Sequence, residues 1–180
     1  MMKYFLSGLI FFFVCSPSVY AGTEVYFSPN GGCQAAVLSE IGKASKSIDI
    51  AMYSITSREI AQAVVKAKER KVSVRIVLDR SQINEHFSKS KYLISKGLDV
   101  KFHIGPGLMH DKFAVIDGRA LLTGSFNWTA SAEKKNAENL LLIKDRSIAG
   151  KYAKEFKHLW SQSGQGEFNA KTKESKGAEE

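Results

Sequence analysis

Apolar runs with the two-residue period of strands alternate along this chain with stripes at helical spacing, which restricts it to α/β architectures. Glu24 to Ser28 alternates like a strand. Pro29-Asn30-Gly31-Gly32 then turns the chain into a helix carrying Ala36, Val37 and Ile41. Ser47 to Tyr53 reads as a second strand, and Ser57 is a good N-cap for a helix running to Arg70 with Ile60, Ala61, Val64 and Val65 inward. Val72 to Leu78 reads as a buried strand, and a shorter helix spans Lys89 to Lys96 and stops at Gly97. Strands at Leu98 to His103, His110 to Ile116, Ala120 to Thr123 and Leu140 to Lys144 follow, so helices give way to consecutive strands. Ile148, Tyr152, Phe156, Leu159 and Trp160 place one broad apolar stripe on a last helix. The pattern predicts an α/β sandwich with a mixed, mostly parallel central sheet flanked by helices.

The two ends of the chain read differently. Residues 1 to 21 have the form of a secretory signal peptide: Lys3 near the start, an apolar run from Phe5 to Cys15, and small residues ending at Ala21. The run is about half the roughly 20 residues that a membrane span needs. Cleavage after Ala21 implies a periplasmic or secreted protein of residues 22 to 180, with one domain over 22 to 163. From Gly164 onward Gly, Lys, Glu and Ser dominate, the composition of a disordered polar tail. Cys33 is the single cysteine beyond the leader, so no internal disulfide forms, and burial is favoured over an intermolecular bridge. The net charge of +8 loses only Lys3 with the leader, and the remaining excess favours polyanionic partners such as nucleic acid or anionic lipid.

Residues 109 to 129 carry the chemistry. They read MHDKFAVIDGRALLTGSFNWT and place His110, Lys112, Asp117, Gly124, Ser125 and Asn127 in the pattern HxKx4Dx6GSxN. Six specified positions arise by chance on the order of once in a hundred thousand chains of this length. On a regular strand His110 and Lys112 point to one face, with Ala114 and Ile116 continuing the row, while Asp117 falls on the other register and reads as a structural support. Ser125 and Asn127 again stand two apart, with a hydroxyl and an amide suited to phosphate oxygens.

This segment resembles the HKD motif of the phospholipase D superfamily, and the chain as a whole resembles its small single-motif members, the Nuc-like bacterial endonucleases. The resemblance implies a phospholipase D-like fold and hydrolysis of phosphodiester bonds without a metal or other cofactor. It also implies a site of His110, Lys112, Ser125, Asn127 and Glu138, with Asp117 as the sixth position. Glu138 is implied as the acceptor for the second ring N–H of a histidine. One motif supplies one histidine, so two copies of the chain are expected to share a site about a two-fold axis. One His110 then forms a phosphohistidine while the other protonates the leaving oxygen and later activates water. Two coupled imidazoles predict a bell-shaped rate profile centred near the pKa of free imidazole, about 6.5.

Other residues read more plainly. His86, His103 and His158 lack ligand-like spacing, and Asp49, Asp79 and Asp111 sit in unrelated segments, so no metal site is evident. Phe126 and Trp128 flank the phosphate-binding positions, and core packing is favoured for them over base stacking. The basic runs at Lys66 to Lys71 and Lys89 to Lys91 suit either a nucleic-acid groove or a solvated helix face. Three functions follow: a nucleic-acid endonuclease of DNA or RNA, a lipid-directed phospholipase or transphosphatidylase, and a non-catalytic nucleic-acid binder. Net positive charge and the lack of an interfacial apolar helix beyond the leader favour the first. Intact signature positions disfavour the third.

Overall fold

The alternation of strand and helix is realised over residues 22–166, the part of the chain that the structure, a computed structural model, describes. The expected signal peptide and all of the expected tail beyond residue 166 lie outside the described residues. In order, the elements are β1 (Gly22–Ser28), α1 (Cys33–Lys43), β2 (Ser47–Met52), α2 (Arg58–Glu69), β3 (Ser73–Asp79) and a 3-10 turn (Arg80–Ile83). There follow α3 (Ser90–Ser95), β4 (Asp99–His103), β5 (Lys112–Ile116), β6 (Ala120–Gly124), α4 (Ala130–Lys134), β7 (Glu138–Lys144), α5 (Arg146–Ser161) and β8 (Ser163–Gly164).

One eight-stranded sheet has the order β1-β7-β6-β5-β2-β3-β4-β8. Only β2 with β3 and β3 with β4 run parallel; the other five neighbouring pairs are antiparallel. The mixed α/β sheet flanked by helices stands, but the expected excess of parallel pairing is corrected. Crossover helices α2 and α3 force parallel neighbours, whereas the tight β5–β6 hairpin, the β6–β7 return and the edge additions of β1 and β8 are antiparallel.

Two cores sandwich the sheet. Ile48, Ile50, Met52, Ile76, Leu78, Ala114, Ile116, Leu122 and Leu142 face α1 and α2, whose Val37, Ile41, Ile60 and Val64 are fully buried against them. Ala51, Val77, Phe113, Val115 and Leu121 face α5 through Ala149, Phe156 and Leu159, with Ile148, Tyr152 and Trp160 partly buried at its flanks. The expected stripe on α5 therefore packs as the spacing indicated. Each fully buried Ile or Leu side chain stabilises by about 1.5–3 kcal/mol relative to exposure. Cys33 is buried and free, and burial pushes its thiol above the ordinary value.

Caps fix the ends. Ser57 accepts the N–H of Ile60 at the start of α2, and Asp145 accepts those of Ser147 and Ile148 at the start of α5. Two elements escape the periodicity: α4, a single five-residue helix capped by Thr129, and β8, whose Ser163–Gly164 pairs with β4 where the polar tail was expected to begin.

Candidate active site

The signature residues separate into two groups along the two strand-end edges of the sheet, as distinct from its lateral edge strands β1 and β8. β5 lies between them, a length on the order of 17 Å. His110 precedes its first residue and Asp117 follows its last. At the far edge Asp117 and Gly118 take left-handed φ of 51° and 63° and reverse the chain into β6. The Asp117 carboxylate, only 3% exposed, accepts the N–H groups of Ser45, Lys46 and Ser47 and the Ser45 hydroxyl. Burial pushes its acidity down, but these amide bonds outweigh burial and hold the carboxyl below its ordinary 3.8. Asp117 therefore ties the β5–β6 turn to the start of β2 and stands outside the site, as its register indicated.

The near edge gathers the ends of β1, β2, β3, β4 and β6 and the starts of β5 and β7. His110 is not on β5, which begins at Lys112, and this corrects the expectation of one regular strand from His110. The backbone groups beside it bond elsewhere: the Met109 N–H donates to Asp79 Oδ2 at 2.8 Å, and the Asp111 carbonyl accepts the Tyr53 N–H at 2.9 Å. His110 is exposed, with its ring 4.8 Å from that of Tyr53, centroid to centroid. The Lys112 ammonium stands 5.2 Å from the same Tyr53 ring and hydrogen-bonds the His110 carbonyl. Nucleophile candidate and cation are thus assembled around Tyr53, a residue outside the signature. Burial pulls the Lys112 pKa below the ordinary lysine value, while the Asp111 and Glu138 carboxylates act the other way. That influence places Glu138 within electrostatic reach of Lys112.

Gly124 makes the exit from β6 possible. Its φ is 149°, and a Cβ there would lie 2.3 Å from the Asn139 carbonyl oxygen. Beyond it, Ser125 Oγ donates to Glu138 Oε2 at 2.5 Å and accepts the Asn139 N–H at 3.1 Å, while Asn136 Nδ2 donates to Glu138 Oε1 at 3.0 Å. The Ser125 proton is therefore committed to Glu138 rather than free for a phosphate oxygen. No hydrogen bond among the described residues joins Glu138 to His110. Asn127 Oδ1 is buried without a hydrogen-bond partner among the described residues, an arrangement that costs free energy until a donor arrives. Phe126 and Trp128, both 1% exposed, are core residues, so stacking on a base is not their role.

The remaining candidates take the plainer places. His86 is exposed beside Phe87, His158 lies on the surface of α5, and His103 is buried at the end of β4. Asp49 forms a two-pronged ion pair with Arg75 at 2.8 Å, and Asp79 is saturated by backbone N–H groups. Among the described residues no three His, Cys, Asp or Glu side chains gather as metal ligands would. A cavity of about 470 Å³, lined in part by Lys43, Arg119, Lys144 and Arg146, lies at the Asp117 edge, away from His110. The missed residues Tyr53, Asp79 and Asn139 act through strand-end neighbours, which the pattern of residues 109 to 129 does not include.

Comparison with known proteins places this geometry. Residues 37–160 match the family described as cardiolipin synthase, PLD-like domain. A protein named phospholipase D from Rickettsia prowazekii is 42% identical over 126 residues, covering 70% of this chain and 62% of that protein. A mitochondrial cardiolipin hydrolase from Xenopus tropicalis is 37% identical over 120 residues, covering 67% of this chain and 57% of that one. The chain thus spans less than two thirds of the length of these curated relatives. The crystal structure of Nuc from Salmonella typhimurium, a phospholipase D family member, superposes with a TM-score of 0.77 at 32% identity, covering 81% of this chain and 97% of that one. With the match running through every element from α1 to α5 and through the whole site, the chain belongs to the phospholipase D superfamily of phosphodiesterases.

Proposed function

We propose that this protein is a metal-independent endonuclease that hydrolyses phosphodiester bonds of nucleic acid through a phosphohistidine on His110, with two copies of the chain sharing one site. The observation that carries the reading is the open edge where the exposed His110 ring and the Lys112 ammonium meet around Tyr53. The likeness to Nuc over nearly all of that chain and the net charge of +8 support nucleic acid as the substrate.

In the first step an imidazole nitrogen of His110 forms a P–N bond as the bond to the leaving oxygen breaks. That oxygen takes a proton from His110 of the partner subunit. In the second step the same partner ring removes a proton from water, the oxygen attacks phosphorus, and the P–N electron pair returns to the first imidazole. Lys112 offsets the charge that builds on the equatorial oxygens. The unpaired Asn127 oxygen provides an acceptor for a donor arriving with the substrate or the second copy. Ser125 and Asn136 hold the Glu138 carboxylate, whose electrostatic influence reaches Lys112 and whose remaining lone pairs can receive a histidine N–H in the assembled site. One motif histidine per chain leaves the proton donor missing, which is why this reading requires the second copy.

A lipid diester is the second reading. Phe87, Ile104 and Leu108, between 61% and 67% exposed, lie on the loops that leave β3 and β4 at the site's own edge, and such side chains also suit an apolar surface. The test is purified residues 22 to 180 incubated in parallel with plasmid, RNA and phosphatidylcholine vesicles, with EDTA throughout. Nucleic-acid cleavage without lipid turnover is expected. Lipid turnover alone would reverse the order of the two readings, and loss of all cleavage in EDTA would remove the metal-free mechanism.

A further inference from the structure

Asp79 ends β3 with its side chain wholly out of solvent, where a carboxylate persists only if donors saturate it. Its Oδ1 accepts the Ser81 N–H at 2.9 Å and its Oδ2 the Met109 N–H at 2.8 Å. The first bond starts the 3-10 turn; the second fixes the residue immediately before His110. From the other side, Tyr53 at the end of β2 holds the Asp111 carbonyl, so His110 is the one residue between two anchors.

The turn that Asp79 starts presents Gln82, also buried. Gln82 Oε1 accepts the Ser54 hydroxyl at 3.1 Å, and its carbonyl accepts the Ser90 hydroxyl at 3.0 Å. The Ser54 carbonyl in turn accepts the Trp128 N–H at 3.2 Å, next to Asn127. A partly buried polar run, continued from Ser81 to Gln82 by the backbone, therefore reaches the backbone beside both His110 and Asn127. Both oxygens of Asp79 are acceptors facing backbone donors, a demand that an amide side chain cannot meet, because its NH₂ would oppose one of those N–H groups. Asp49, a largely buried carboxylate on β2, instead makes its two side-chain bonds to Arg75.

We infer that Asp79 is a positioning residue: its bond to Met109 sets where the His110 ring stands relative to Lys112, and Gln82 and Ser54 extend the same constraint to Asn127. The inference rests on His110 as the nucleophile, and it holds whether the natural diester is in nucleic acid or lipid.

Hydrolysis of bis(p-nitrophenyl) phosphate by the full chain tests it, since that diester reports the chemistry without the natural substrate. Asp79→Asn is expected to lower kcat by about tenfold or more with KM within about twofold, because small misplacement of a reacting group is costly. The Met109 amide should lose its protection from hydrogen exchange. Asp49→Asn, the control, should lower the thermal midpoint while kcat per folded molecule stays within about twofold. Should Asp79→Asn fail to fold, Ser54→Ala takes its place, with kcat expected to fall about threefold or more at constant KM. Unchanged kcat in folded Asp79→Asn, unchanged kcat in the substitute variant, or an equal kcat loss in Asp49→Asn would overturn the inference. Full activity in His110→Ala would instead remove the nucleophile and this inference together, whereas inactive His110→Ala with normal Asp79→Asn removes the positioning role alone.

Discussion

His110 and Lys112 share Tyr53 as a neighbour, yet they differ in what holds them. The His110 ring is exposed beside Tyr53, while the Lys112 side chain is half-buried and its ammonium is already bonded to a backbone carbonyl. His110→Ala is expected to abolish diester hydrolysis, and Lys112→Ala to lower turnover by about 10²–10³ with the fold intact, as removal of one charge-stabilising donor does elsewhere. Both are read from initial rates against a circular-dichroism control. Asp117 offers the contrasting case. Its folded pKa lies below its ordinary 3.8, so its contribution to stability is fully present above that value and is lost as pH falls through the folded value. Asp117→Asn should cost about 1–3 kcal/mol at neutral pH, flatten the acid side of the stability profile, and leave turnover per folded molecule unchanged. Urea midpoints measured from neutral pH down to about pH 3 decide this.

Among the elements, the exit from β6 is the most constrained. Gly124→Ala forces a Cβ against the Asn139 carbonyl in a backbone region that side chains rarely adopt. A loss of about 1–3 kcal/mol is expected, together with lower turnover as Ser125 is displaced from Glu138. Ser57→Ala at the start of α2 should cost about 1 kcal/mol and leave KM unaltered, as seen in paired thermal melts and kinetics. These elements were largely legible beforehand. Period-two runs located the strands within a few residues, and Ser57, Gly97 and the α5 stripe marked helix ends and faces. What escaped was whatever depends on sheet order. Two of the five α-helices among the described residues, α3 and α4, are short, and only α3 was expected, as a helix stopping at Gly97. β8 exists because β4 offers it an edge. His110 leaves the strand pattern because Asp79 and Tyr53, distant in sequence, take its neighbours' backbone bonds. In the same way the HxK, Ser, Asn and Glu positions could be named from residues 109 to 138, but the Ser125–Glu138 bond and the role of Tyr53 required the order β1-β7-β6-β5-β2-β3.

At the scale of the whole molecule, the excess of positive charge should act on a polyanionic substrate mainly through phosphate contacts. Nucleic-acid cleavage is therefore expected to fall steeply with added salt and to show little base preference, whereas hydrolysis of a small diester should respond weakly; parallel rate measurements across a salt series separate the two. The chain presents one such histidine at an open edge, and the account requires a second from another copy. The most direct measurement is a subunit-mixing series in which wild-type and His110→Ala chains are unfolded together, refolded at varying ratio, and assayed at constant total chain. If two imidazoles serve each site, activity should follow the square of the wild-type fraction, because mixed dimers lack either the attacking ring or the proton donor. Activity falling in simple proportion to the wild-type fraction would mean that each chain works alone, and would contradict the shared site.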